Sequence, residues 1–316
     1  MNNYNSEKKI TFVDLFAGIG GIRKGFEFPD TECVFSSEID KFAKKTYEAN
    51  FNETPCGDIT QIDPYDIPDF NILLAGFPCQ PFSQAGLKMG FDDSRGNLFF
   101  DIVRILECKK PSVVFLENVR NLATHNNGET LKIIIKNLEA LNYKVFYQIL
   151  NARDFGVPQN RARIYIIGFL DDVNFTFPEP LKKETRLGDI LEKTVNEKYT
   201  ISDKLWSGHL RRKMEHKKNG NGFGYSLFDE NSKYTSTISA RYYKDGSEIL
   251  IKQEDQNPRK ITPREAARLQ GFPDDFIIPV NDSQAYRQFG NSVAIPVIKS
   301  LAIKIMEAIR LEVMNI

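Results

Sequence analysis

The sequence predicts an α/β protein: a mostly parallel sheet with helices on both faces, plus a smaller, irregular, β-rich domain. Three observations carry this. Short apolar runs alternate with helical stretches from Ile10 to about Phe169. Two of those runs, Ile72–Ala75 and Ser112–Leu116, are apolar almost throughout, as strands covered on both faces are. The alternation then stops near Pro178, where Gly, Asn, Lys and Tyr accumulate. The division predicts a large domain over residues 1–180, a small domain over 181–280, and a C-terminal segment, 281–316, that returns to the large one.

Taken in order, Ile10–Phe16 reads as the first strand and Ala17-Gly18-Ile19-Gly20-Gly21 as a turn into a helix ending near Phe26. Glycines there let a ligand approach backbone at a helix N-terminus. Arg23 stands where a GxGxxG motif needs its third glycine, which disfavours a dinucleotide site and a nicotinamide dehydrogenase. Cys33–Ser37 is the second strand. Glu38 follows the turn by about 20 positions, the spacing at which a carboxylate meets ribose hydroxyls. Asp40 reads as N-cap of a helix over Lys41–Asn50. Asp58 reads either as an acceptor for an adenine amino group or as a turn residue. Helices are expected over Leu98–Cys108 and Thr130–Leu141, and strands over Tyr143–Leu150 and Ile164–Phe169. Glu117 falls at the carboxyl end of the Ser112–Leu116 strand. Arg161 and Arg163, two apart on an extended segment, share a face. Thr237–Tyr243 reads as a strand entering a Lys244-Asp245-Gly246 turn, and Thr262-Pro263-Arg264-Glu265 as a capped helix start. An apolar helix, Ile295–Ile309, has the period to pack back on the large domain.

Composition narrows the class. The 316 residues carry 42 basic and 42 acidic side chains, but Leu181–Gln270 alone holds 19 basic against 13 acidic, so an anionic partner belongs there. No apolar leader or membrane-length run is present. The four cysteines are scattered, form no CxxC, and accompany only three His, which disfavours zinc and fits free thiols in a reducing cytoplasm.

Within Gly76-Phe77-Pro78-Cys79-Gln80-Pro81-Phe82-Ser83, Cys79 sits just past a strand's carboxyl end, where open α/β sheets bind ligands. Flanking prolines and polar neighbours favour a reactive thiol over a core cysteine. The ordered set Asp14–Gly21, Glu38, Asp58, Gly76–Gln80, Glu117-Asn118-Val119, Gln159–Arg163, Arg264–Leu269 and Gly290-Asn291-Ser292-Val293 resembles the bacterial DNA (cytosine-5) methyltransferases of type II restriction–modification systems. The resemblance spans nearly the whole chain. It implies a Rossmann-like methyltransferase sheet, S-adenosyl-L-methionine as cofactor, and double-stranded DNA as substrate. It also implies a cognate restriction endonuclease, a monomer, and no membrane partner.

The resemblance assigns catalysis to Cys79, Gln80, Glu117, Arg161 and Arg163. Cys79 attacks carbon 6 of a flipped cytosine, Glu117 carries a proton for ring nitrogen 3, Arg163 donates to the base carbonyl, and Arg161 donates to Glu117 or a phosphate. The cofactor set is Phe16, Gly18, Ile19, Gly20, Glu38, Ile39, Asp58, Ile59, Pro78 and Asn291. Ile39 stands where many relatives carry Trp. Ser83, Thr237, Arg241, Tyr242 and Lys244 are expected at the DNA. Residues 219–225 and 237–250 look like recognition segments of relatives that modify palindromes beginning CC and ending GG. Two alternatives stay open: a tRNA cytosine-5 methyltransferase of the same fold, and a non-catalytic DNA-binding regulator.

Overall fold

The apolar runs of the first half form one six-stranded sheet. A computed structural model describes residues 9–78, 98–181, 183–220, 222 and 224–313. Strands β1 (Ile10–Leu15), β2 (Thr31–Ser37), β3 (Ile72–Gly76) and β4 (Val113–Val119) are parallel, and β6 (Ala162–Phe169) runs antiparallel between β4 and β5 (Lys144–Asn151). The order is β2-β1-β3-β4-β6-β5. The reversal has a local cause. Parallel neighbours need a long crossover, whereas only a short irregular link, with one 3-10 turn over Ala152–Phe155, joins β5 to β6.

Period-two alternation divides the strands between two cores. Phe12, Leu74, Phe115 and Ile167 face α1 (Gly21–Phe26) and α8 (Ile295–Val313), through Ile22, Phe26, Ile298 and Leu301. Val13, Leu73, Val114 and Ile166 face α3 (Leu98–Lys109) and α4 (Glu129–Ala140), through Ile102, Leu106, Ile134 and Leu138. Arg23 explains the missing third glycine. Its guanidinium stacks 4.3 Å over Phe51 of α2 (Lys41–Phe51) and makes two hydrogen bonds to Glu53, at 2.6 and 3.1 Å.

A third core gathers Leu187, Ile238, Tyr242, Ile249, Ile261, Leu269 and Phe276. Around it lie α5 (Asp203–Lys218), α6 (Pro263–Leu269), α7 (Asp282–Asn291) and three two-residue strands, β7 (Leu227–Phe228), β8 (Leu250–Ile251) and β9 (Arg259–Lys260). The capping box expected at Thr262 and Glu265 is formed. Two expectations change. Thr237–Tyr243 is not a strand, because side chains take the backbone groups of Ile238: Gln159 Oε1 accepts from its N–H and Arg161 donates to its carbonyl. The C-terminal segment is also shared between regions. Ala285, Tyr286 and Phe289 of α7 belong to the third core, and only α8 returns to the sheet. Gly290 permits this junction, since a Cβ there would lie 2.3 Å from the Ser239 carbonyl carbon. Among the described residues no helix is long and apolar enough to cross a membrane.

Candidate active site

At the carboxyl ends of β1 to β4 lies a cavity of about 530 Å³. Its floor is the turn after β1. There Phe16 adopts a left-handed φ of 54°, a strained conformation for a bulky residue, and Gly18 follows at φ 56°. Glu38, just past β2, accepts from Gly18 N and from Asp40 N, each at 2.7 Å. Two backbone donors fix this carboxylate and leave acceptor capacity for hydroxyl groups. Asp40 caps α2 as expected, accepting from Phe42 N and Ala43 N.

The expected residues Phe16, Gly18, Ile19, Glu38, Ile39, Pro78 and Asn291 all line the cavity. Ile39 is 72% exposed and presents an aliphatic edge there. Gly20, Asp58 and Ile59 are not part of the lining. A Cβ on Gly20 would strike the Phe51 ring at 2.2 Å, so that glycine serves packing. Asp58 Oδ1 caps a 3-10 turn by accepting from Thr60 N, and Ile59 is buried in the second core.

Glu117 and Arg163 form the deep wall. Glu117 lies within β4, paired with Gly76 of β3 and Tyr165 of β6, and is 8% exposed. Arg163 Nε lies 3.2 Å from its Oε1. Burial raises the Glu117 pKa, while Arg163 and Arg161 pull it back. The next residue, Asn118, went unassigned in the sequence. Its Nδ2 donates to Phe77 O at 2.9 Å and pins the chain just before Pro78. Cys79, Gln80 and Ser83 lie outside the described residues.

Arg161 lines the cavity, as expected of a site residue, and its charge acts on Glu117. Among the described residues its hydrogen bonds go not to Glu117 but to Ile238 O, Gly290 O and Ser292 O, stitching β6 to the third core. Gln159 joins it, donating to Leu269 O at 3.0 Å. Of the residues expected at DNA, Arg241 and Lys244 are exposed on a turn, and Thr237 Oγ1 donates to Asn160 O at 2.6 Å. Tyr242 is corrected: it is fully buried, its hydroxyl donating to Ile249 O and accepting from Ile261 N. The cavity wall on α7 was missed apart from Asn291. Gln284, Arg287, Gln288 and Asn291 recur at helical spacing along one face, opposite the apolar Ala285, Tyr286 and Phe289. Their periodicity was the available signal.

The cavity fits S-adenosylmethionine. Its volume is in the range of small-ligand sites. A Cβ on Gly18 would meet nothing within 4 Å, so this turn is open to a ligand. Glu38 offers the carboxylate a ribose needs.

Comparison with known proteins agrees with this geometry. Residues 10–307 match the family described as C-5 cytosine-specific DNA methylase. The chain is 66% identical over 294 residues to the type II methyltransferase M.NlaX of Neisseria lactamica, covering 92% of this chain and 94% of that protein. It is 46% identical over 328 residues to the type II methyltransferase M.HpaII of Haemophilus parainfluenzae, covering 97% and 92%. The Entamoeba histolytica methyltransferase EhMeth shares the fold with a TM-score of 0.79 at 22% identity, covering 96% of this chain and 99% of that one. A sheet edge carrying the glycine turn, Glu38 and the Glu117–Arg163 pair, with motifs matched from residue 10 to residue 307, places this chain in the C-5 cytosine-specific DNA methylase family, S-adenosylmethionine-dependent enzymes that methylate DNA.

Proposed function

We propose that the protein methylates carbon 5 of a cytosine flipped out of a specific duplex sequence, as the modification half of a type II restriction–modification system. The observation that supports it most is the buried Glu117 carboxyl, held beside Arg163 on the strand next to the one leading into Cys79. Type II naming of relatives at up to 66% identity supports the restriction–modification role.

Cytosine carbon 5 is a weak nucleophile until a thiolate adds to carbon 6. Cys79 makes that bond, and the ring gains electron density. Glu117, its pKa raised by burial, holds a proton against ring nitrogen 3 and stabilises the added charge. Arg163 orients Glu117 and offers its remaining N–H groups to the base carbonyl. S-adenosylmethionine, when bound, supplies the electrophilic methyl group. Loss of the carbon 5 proton and expulsion of the Cys79 thiolate then free the product.

Cys79→Ser abolishes methyl transfer while cofactor binding persists, and duplex DNA carrying 5-fluorocytosine traps the wild-type protein as a band that survives denaturation. Near wild-type turnover in Cys79→Ser, or no trapped band, overturns the covalent reading. The proposed target is a palindrome beginning CC and ending GG, because residues 219–225 and 237–250 look like the corresponding recognition segments. Bisulfite sequencing of DNA from expressing cells reads activity and target together. Methylation at sites without flanking guanines removes that target.

A further inference from the structure

We propose that His209 is a positioning residue for duplex DNA, acting through the turn over residues 241–246 beside the cavity. This rests on DNA as the substrate and on that turn as one of its contacts.

The turn adjoins the cavity wall. Arg287 of α7 lines the cavity and is exposed, and its guanidinium lies 5.9 Å from the Tyr243 ring centre. Just before the turn, Ala240 packs so closely on Gly290 that a Cβ there would lie 2.4 Å from Ala240 N, and Gly290 also lines the cavity. A duplex that delivers a base to this cavity meets the turn at its rim. The exposed side chains there, Arg241 and Lys244, are both cations, and among the described residues neither they nor Arg287 is ion-paired. Unpaired cations at a rim are free to meet phosphates.

The other end of the turn is held by α5. His209 is 1% exposed, the one buried residue of that helix. Its Nδ1 lies 2.9 Å from Arg212 Nη2, and its Nε2 lies 3.2 Å from Asp245 O. A guanidinium only donates, so Nδ1 is the acceptor, the ring is neutral, and Nε2 donates its proton to Asp245 O. Arg212 Nη1 donates to Asp245 Oδ2 at 3.1 Å, and Asp245 Oδ1 accepts from Ser247 N at 3.2 Å. Asp245 is therefore held at its carbonyl and at both carboxylate oxygens. Within the turn, Gly246 N donates to Tyr242 O at 3.1 Å and Lys244 N to Arg241 O at 2.9 Å. Fixing Asp245 thus fixes the residues that carry the two cations.

The clamp needs the neutral ring. A protonated His209 would point an N–H at the Arg212 donors and set a charge beside that cation. Burial lowers the His209 pKa below the ordinary histidine value; the Asp245 carboxylate opposes this and the Arg212 charge adds to it. Tyr225 faces the imidazole at 6.2 Å between ring centres, Lys213 Nζ lies 4.1 Å from the Tyr225 ring centre, and Lys260 packs against Gly246.

The test compares His209→Leu, His209→Gln, Arg241→Ala/Lys244→Ala, and that double variant with His209→Leu added. Anisotropy of a labelled duplex carrying the site mapped by bisulfite sequencing reads DNA affinity. Calorimetry reads S-adenosylmethionine affinity, and KM for DNA is set against kcat. His209→Leu is expected to weaken DNA binding about 3- to 10-fold, the effect of losing charge-assisted hydrogen bonds at one remove, while cofactor affinity and kcat hold. His209→Gln keeps a donor and an acceptor and recovers most of the affinity. As pH drops through the lowered His209 pKa, wild-type DNA affinity falls relative to His209→Gln. Without Arg241 and Lys244, His209→Leu adds less than about twofold, because coupled residues are non-additive. Unchanged DNA affinity in His209→Leu overturns the proposal, as does its full loss without the two cations; a loss in Arg241→Ala/Lys244→Ala then still leaves the turn at the DNA. If His209→Leu loses cofactor binding as well, the pH comparison decides, and parallel profiles for wild type and His209→Gln overturn the proposal. Unchanged affinity in Arg241→Ala/Lys244→Ala removes the turn from the DNA and the proposal with it.

Discussion

Two buried arginine–glutamate pairs, one in each region, put the same groups to different uses. In the third core, Glu265 is 0% exposed and meets four donors: Arg259 Nη1 and Nη2 at 2.7 and 2.8 Å, and the backbone N–H groups of Glu192 and Thr262 at 2.9 Å each. Every lone pair of that carboxylate has a partner. At the cavity, Glu117 has one contact, Arg163 Nε at 3.2 Å, and no backbone donor among the described residues. Burial there raises its pKa. Full satisfaction holds a charge in place as structure, whereas an under-served carboxyl facing a cavity can hold and release a proton.

The sharpest way to break this contrast is to mutate each glutamate. Glu117→Gln is expected to slow single-turnover methylation by roughly 10²–10⁴-fold while DNA binding and melting temperature stay near wild type. The pKa shift adds a pH signature. The proton is held to higher pH than in an ordinary carboxyl, so the wild-type rate falls as pH rises through the raised pKa, and the variant lacks that limb. A change confined to KM would make Glu117 a binding residue.

Glu265→Ala should do the reverse. Stranding Arg259 in the core is expected to cost about 3–5 kcal/mol in urea unfolding, with the chemical rate of the folded fraction preserved. A loss under about 1 kcal/mol would erase the distinction between the pairs.

Glu38 stands between these extremes, with two backbone donors and an open cavity side. Glu38→Ala should weaken S-adenosylmethionine binding by about 1–3 kcal/mol, as when a bound polar group is left unpaired. Calorimetry giving unchanged affinity would remove it from the site. On the exposed turn, Arg241→Ala should cost about 1–3 kcal/mol and relax discrimination at one base pair if it reads guanine. An equal loss on all sequences, with a smaller salt slope, would make it a phosphate contact.

The last test concerns Asp14, a carboxyl buried on β1. Desolvation raises its pKa well above the usual range. The folded state therefore binds the proton more tightly than the unfolded chain, and stability falls as pH rises from the ordinary carboxylate range through the raised pKa. Asp14→Asn removes that dependence, so its stability gain over wild type should grow as pH rises from the ordinary carboxylate range toward the raised pKa. Parallel urea midpoints for the two proteins would end this account.

Most elements of the large region were legible because each apolar run or helical stripe carries its own period, and burial against either sheet face enforces it. The order of motifs around Cys79 and Glu117 was legible for the same local reason: strand ends, glycines and prolines are written residue by residue. The Thr237–Tyr243 segment was not. Its β-branched and aromatic composition reads as strand, yet strand pairing needs free backbone groups, and Gln159 and Arg161, 79 and 77 positions away, occupy those of Ile238.

By itself, then, the sequence determined the sheet-forming runs, the glycine turn, the caps at Asp40 and Thr262, and the chemistry expected of Cys79, Glu117 and Arg163. These depend on neighbours within a few residues or on residue type. Tertiary structure alone decided that Arg161 is a stitch, that Tyr242 is core, and that α7 joins the third core and turns a polar face to the cavity. It also decided which glutamate is saturated with donors and which is not. Such outcomes depend on which distant carbonyls and amides come within about 3 Å, the range of a hydrogen bond, and only the folded chain sets those distances.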